Sequence, residues 1–412
     1  MNICAVIVEY NPFHNGHLYH IQQAKKATNA DFIVAIMSGN FVQRGAPGIT
    51  CKYERARMAL SCGADLVIEL PIYYALGSAE YFAKGAISLI NKLGCITHLC
   101  FGSEQGELEP LMEFAKILAV EPEEYSLCLK ANLKKGMTYP IARSAALLQT
   151  NPALSPYMDA LSSPNNILGI EYLKALILTS SNVTPVTIGR IGSSYHEKRL
   201  GGDLASATAI REAIKGHADA ETYLSYMPSS AVSVLKTWQE THSLLWTDDF
   251  SSILRYKLLS EVEKGFSSYI DVSSDLSDRI CKMLPQYENI SSFCDLLKTK
   301  EVTYTRLSRA LFHILLDMKQ DDMQFYKEKL SLTPYARILG FRKESSDLLT
   351  IIHSSCEIPL LTKLADAKNI LSEDALKMLQ KELDMNRIYY GVLSDKTGNP
   401  PRNELSTPIT IV

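Results

Sequence analysis

The chain has 412 residues, of which 46% are hydrophobic and 21% charged, values that fit a soluble globular protein of two or three domains. Its net charge of -3 gives no bulk attraction to nucleic acid, so an RNA partner would need a local basic patch. No stretch has the apolar length of a membrane helix, no secretory signal is evident, and the nine scattered cysteines read as free thiols of a reducing cytoplasm rather than disulfides or a zinc site.

The first element is the apolar, β-branched run Ile3–Val8, which predicts a fully buried strand. Asn11-Pro12 breaks it, and helical spacing resumes at Leu18, Ile21, Gln22 and Ala24. The intervening turn carries His14, Gly16 and His17. A helix N-terminus offers unpaired N–H groups and a partial positive charge, Gly16 permits close approach, and two imidazoles can donate to phosphate oxygens. Together they suit stabilisation of charge during displacement at phosphorus. A His-x-Gly-His string elsewhere would be an ordinary surface turn; its place after a buried strand favours a site.

A second strand is expected over 31–37, followed by the loop 38–45, from which Gln43 and Arg44 could reach a phosphate or a carboxylate. The alternative is a solvated loop arginine. Thr50 is a candidate cap for a helix holding Tyr53, Ala56, Arg57 and Leu60, in which Lys52 and Arg55 read as solvated charges. A third strand is expected over 65–70, a helix over 78–93 and a fourth strand over 97–101, with Gly102, Ser103 and Glu104 at its end. The repeated order strand, loop, helix implies a parallel sheet whose strand-end loops gather at one edge.

Residues 107–160 read as helical, and Ser163-Pro164-Asn165-Asn166 opens another helix, capped by Ser or Asn. The last strand is expected over 185–191, with Arg190 near its end and a loop over 192–196. In the string from Leu204 to Arg211, Ser206 can cap a helix whose N–H groups hold phosphate, and Arg211 can fork onto phosphate oxygens. After about residue 225 the pattern becomes helical. Lys298, Lys300, Arg306 and Arg309, and a second stretch over 335–343, mix basic, hydroxyl and aromatic side chains. Such a mixture suits phosphate contact and base stacking, or else a solvated helical face over core aromatics. The tail ends in a short extended segment.

His14-Asn15-Gly16-His17 matches the signature of the nucleotidyltransferase and class I aminoacyl-tRNA synthetase superfamily. The strings 8–20 and 37–45 together resemble the tRNA(Met) cytidine acetate ligase family. The segment Ser206 to Arg211 resembles the Ser-x-Thr-x-Ile-Arg string of nucleotidyltransferases. The resemblance implies a Rossmann-like α/β nucleotidyltransferase domain over 1–225 and a mainly α-helical RNA-binding region over 226–412. It implies an ATP site built from Ile7, Val8, Glu9, Tyr10, Asn11, Pro12, Phe13, His14, Asn15, Gly16, His17, Leu18, Tyr19 and His20, with Gly102, Asn165, Arg190, Ser206, Thr208 and Arg211. His14, His17 and Arg211 carry the catalytic role, and Lys298, Lys300, Arg306 and Arg309 the tRNA contacts.

The implied reaction makes acetyl-adenylate from acetate and ATP, then N4-acetylcytidine at the wobble base of elongator tRNA(Met), in the cytoplasm. Mg²⁺ fits as a counter-ion of the nucleotide, though no dedicated acidic cage is visible. Two further readings stay open: a small-molecule adenylyltransferase, and a nucleotide-sensing RNA-binding protein without catalysis.

Overall fold

Ile3–Val8 forms β1, the strand on which a parallel sheet is built in the computed structural model, which describes residues 1–190 and 204–412. β1 pairs in parallel with β2 (Phe32–Ser38) on one side and β6 (His98–Ser103) on the other. β2 pairs with β5 (Leu66–Leu70), and β6 with β7 (Thr184–Gly189), giving the parallel order β5-β2-β1-β6-β7. Strands covered on both faces need continuous apolar runs, and β1, β2 and β5 are buried along almost their whole length. Two short strands, β3 (Phe41–Val42) and β4 (Ala46–Pro47), make an antiparallel hairpin after β2. The boundaries of the five parallel strands fall within two residues of those expected from sequence. The expected Ile191 and the loop 192–196 lie outside the described residues.

The region after residue 225 is mainly helical, as expected, but it also completes the sheet. β8 (Ala336–Phe341) runs antiparallel along β5, and β9 (Leu360–Leu361) and β10 (Thr410–Ile411) pair with β8. The stretch read as a candidate RNA-contacting patch is therefore a sheet strand with Arg337 buried on it. Among the described residues no helix is long and apolar enough to cross a membrane.

Two helix starts differ from expectation because their caps come from distant loops. Helix Lys52–Ser61 begins at Cys51 without a side-chain cap of its own; the Asn40 Oδ1 accepts the Lys52 N–H at 2.9 Å, while the Thr50 hydroxyl is buried without a partner. Helix Pro164–Leu178 is capped neither by Ser163 nor by Asn165. Its first N–H groups, those of Asn165 and Asn166, donate to the Glu104 carboxylate at 3.2 and 2.9 Å. An anion from the end of β6 thereby meets the positive end of the helix.

Lys52 and Arg55, expected in solvent, are fully buried. Arg55 donates to the carbonyls of Glu9 at 2.6 Å, Ser38 at 3.2 Å and Thr50 at 3.3 Å, and also to that of Gly39. It ties the end of β1 to the end of β2, where the candidate site opens.

Candidate active site

Helix Asn15–Thr28 starts on His14, and the start is held by the imidazoles themselves. His14 Nδ1 accepts the Gly16 N–H at 3.1 Å, and His17 Nδ1 accepts the His14 N–H at 3.3 Å. This is a capping box with histidines in place of the usual hydroxyl and carboxylate. The two rings stack with centroids 3.7 Å apart. A neutral imidazole whose Nδ1 accepts must carry its proton on Nε2. Both histidines are thus fixed as Nε2–H donors, and both line one cavity.

They are held neutral as well as oriented. Burial, followed by the nearby Arg190 and Arg211, lowers His14 to about 3. Burial, then His14, Arg190 and His20, hold His17 well below its ordinary value. Burial and Arg190 lower His20 to about 4.

The opposite wall comes from helix Ala207–Lys215. Ser206 Oγ caps it by accepting the Ala209 N–H at 3.1 Å. Arg211 donates from Nη1 to the Asn11 carbonyl at 2.7 Å and from Nη2 to Thr208 Oγ1 at 3.1 Å. Two segments about two hundred residues apart in the chain therefore meet directly, three residues before His14. Arg44 Nη1 approaches the same Thr208 hydroxyl at 3.4 Å.

Of the residues expected at a nucleotide, Ile7, Val8, Glu9, Asn11, His14, Gly16, His17, Tyr19, His20, Gly102, Asn165, Arg190, Ser206, Thr208 and Arg211 line this cavity. Tyr10, Pro12, Phe13, Asn15 and Leu18 do not. Tyr10 and Phe13 are core residues, their rings 4.9 and 5.6 Å from that of His17, which they support from behind. Pro12 is buried, and Leu18 packs against the core. Asn15 faces away and ties the turn to the far side of the fold, its N–H donating to the Tyr226 carbonyl at 2.8 Å and its side chain to Ser225 at 3.2 Å. A contiguous motif turns successive side chains in different directions, so only part of it can face one cavity.

The cavity also takes Phe82, Phe101, Leu168, Tyr172 and Ile188, none singled out from sequence. Phe101 and Tyr172 meet edge to face at 5.8 Å. Phe82, Leu168 and Tyr172 lie on helices and Phe101 and Ile188 on strands, where apolar side chains look like core residues to any periodicity argument, so the sequence held no signal for them. Among the described residues no group of three His, Cys, Asp or Glu side chains is arranged to hold a metal.

Of the residues expected at RNA, Lys298, Lys300 and Arg306 are exposed. Arg309 is not available for that role. It is buried, and its Nε donates to the Asp271 carboxylate at 2.9 Å.

A family model described as HIGH Nucleotidyl Transferase matches residues 1–403. The tRNA(Met) cytidine acetate ligase of Clostridium novyi (strain NT) is 41% identical over 381 residues, covering 92% of this chain and 93% of its own. That of Clostridium tetani (strain Massachusetts / E88) is 38% identical over 413 residues, covering 99% and 100%. Two crystal structures of Thermotoga maritima TmcAL cover all of both chains at 28% identity. The apo form has a TM-score of 0.94, and the form bound with alpha-thio ATP a TM-score of 0.91. By the family match along almost its whole length and by these relatives, the chain belongs to the tRNA(Met) cytidine acetate ligase family of HIGH nucleotidyl transferases.

Proposed function

We propose that the cavity binds ATP, activates acetate as acetyl-adenylate, and passes the acetyl group to N4 of the wobble cytidine of elongator tRNA(Met). What supports the reading most is the meeting of Arg211 with the Asn11 carbonyl beside the histidine turn, which gathers donors from both motifs around one space. In the first step an acetate oxygen attacks the α-phosphorus and the bond to the β-phosphate bridging oxygen breaks, with pyrophosphate leaving. His14 and His17 supply neutral Nε2–H donors. The N-terminus of helix Asn15–Thr28 and Arg211 supply the positive field where charge accumulates. Phe101, Tyr172 and Phe82 offer aromatic surface to the adenine.

In the second step the exocyclic amine attacks the acetyl carbon, the bond to the AMP oxygen breaks, and the amine loses a proton. Acetate is a poor electrophile until its oxygen belongs to such a leaving group, and an anticodon-loop base is unpaired and reachable. A magnesium ion would travel on the phosphates of the nucleotide, since among the carboxylates of the described residues that of Glu9 alone lines the cavity, and it already accepts the Gln43 N–H at 2.7 Å.

Residues 1–225 supply the chemistry in this reading, and 226–412 supply the contact with tRNA, in the cytoplasm. Replacing Lys298, Lys300 and Arg306 together by alanine is expected to weaken tRNA binding and to lower the salt slope of log Kd by about 3. Acetate-dependent ATP–pyrophosphate exchange should persist in that variant. Equal loss of both activities would contradict a separate RNA contact.

The experiment for the whole reading incubates the protein with labelled acetate, ATP and tRNA. ATP-dependent label in tRNA, lost on omitting ATP, is the expected result. AMP transferred to a small phosphate ester, or RNA binding without chemistry, would refute it.

A further inference from the structure

The hairpin β3–β4 forms one wall of the cavity. Val42 and Ala46 are direct partners in that antiparallel pair, so their side chains leave the same face. Both line the cavity, and the turn between them contributes Gln43 and Arg44. Val42 is only 2% exposed, and it lines the cavity, so its isopropyl group is a buried part of the cavity wall.

The wall is held from behind. Gly45 has a φ of +76°, and a Cβ there would come within 2.3 Å of the Arg309 backbone nitrogen. Its carbonyl accepts the Ser308 hydroxyl at 2.5 Å. Arg309, locked to Asp271, keeps that helix turn in place. From the other side Glu9 accepts the Gln43 N–H, and Phe41 packs on Phe250, Phe312 and Tyr389 with ring centroids 5.7–5.8 Å away. A close-packed support of this kind does not step back for extra atoms.

We propose that this hairpin selects the acid: Arg44 pairs with the substrate carboxylate, and Val42 and Ala46 close the space beyond its methyl group. A two-carbon monocarboxylate then fits, and longer straight-chain acids collide with a wall that cannot move. The inference rests on the reading of the cavity as the site of acetate activation. One carboxylate oxygen stays with Arg44 while the other forms the bond to the α-phosphorus, and the electron pair of the broken bond departs with pyrophosphate; no proton moves in this step.

The test is ATP–pyrophosphate exchange by the full chain with acetate or propionate, comparing the unaltered protein with Val42→Ala and Ala46→Gly. One methylene in an apolar pocket is worth about 10–200-fold in kcat/KM. The propionate-to-acetate ratio of kcat/KM is therefore expected to rise at least about tenfold in each variant that folds. Ala46→Gly removes a single carbon and keeps the measurement available where Val42→Ala costs folding. A smaller rise in any variant that folds, with acetate-dependent exchange intact in the unaltered protein, overturns the inference and leaves the proposed function standing. Absence of acetate-dependent exchange in the unaltered protein overturns the proposed function, and the inference with it.

Discussion

Replacing His17 by alanine is expected to lower acetate-dependent ATP–pyrophosphate exchange by about 10²–10³-fold while the protein stays folded. The side chain is anchored at Nδ1 and presents Nε2–H to the cavity, so its loss removes a preorganised donor. It also removes one half of the capping box, a loss of about 1 kcal/mol. That cost is small beside the about 2.7–4 kcal/mol of barrier implied by the loss in rate. A variant that unfolds, or that keeps its exchange rate, would contradict this assignment.

The same histidines set the pH behaviour. Burial and the nearby cations keep His14 neutral down to about 3, and His17 is lowered in the same direction. Between about pH 5 and 8 the exchange rate should therefore show no ionisation from either imidazole. An acid limb near pH 6 that disappears in His14→Ala or His17→Ala would show that they titrate. For stability the sign is fixed by the direction of the shift. The folded state binds these protons more weakly than the unfolded chain, with its ordinary histidine value of 6.5, so stability falls as pH drops below that value.

Glu404→Ala carries the largest expected effect on stability, a loss of about 3–5 kcal/mol. The Lys52 ammonium, wholly buried, lies 2.8 Å from Glu69 and 2.9 Å from Glu404. The Arg337 Nη1 lies 3.1 Å from both carboxylates. Two cations face two anions in the protein interior, so deleting one anion leaves buried positive charge stranded. Asn386 bridges the cluster to the loop after β2, donating to Glu404 at 3.4 Å and accepting from Asn40 at 2.9 Å.

Urea unfolding measures the loss. Leu405→Ala, at an exposed neighbour, is the control and should change stability by no more than about 0.5 kcal/mol. Equal stability of the two variants would show that the cluster contributes little. Burial would raise the Glu404 pKa, but Lys52 and Arg337 overcome it and hold the carboxyl at about 2. Its contribution is thus complete above its ordinary value of 4.5 and lost as pH falls toward 2.

These two sites mark what the sequence could and could not convey. The turn at His14 and His17 was legible because strand, break and helix are contiguous, and the chemistry of a helix N-terminus is local. The caps at Lys52 and Asn165 were not legible, because Asn40 and Glu104 reach them from other loops. Lys52 and Arg55 look like solvated helix charges until the chain folds. The partner Glu404 stands 352 residues beyond Lys52, and the partners of Arg55 are backbone carbonyls, which no side-chain pattern can signal.

Arg337 misled in the same way. Its charge among aromatics resembled a nucleic-acid contact, whereas it neutralises Glu69 and Glu404 on an interior strand. Arg309 belongs with it, since its carboxylate partner Asp271 lies 38 residues earlier. Long-range charge pairing, which sequence spacing does not encode, accounts for these differences.

Catalysis by this cavity depends on both motifs gripping one nucleotide. A structure of the protein with a non-hydrolysable ATP analogue measures this directly. The expected result places His14 and His17 Nε2 and the Arg211 guanidinium within hydrogen-bond distance of the same triphosphate. A triphosphate bound against only one of the two motifs, or outside this cavity, would contradict it.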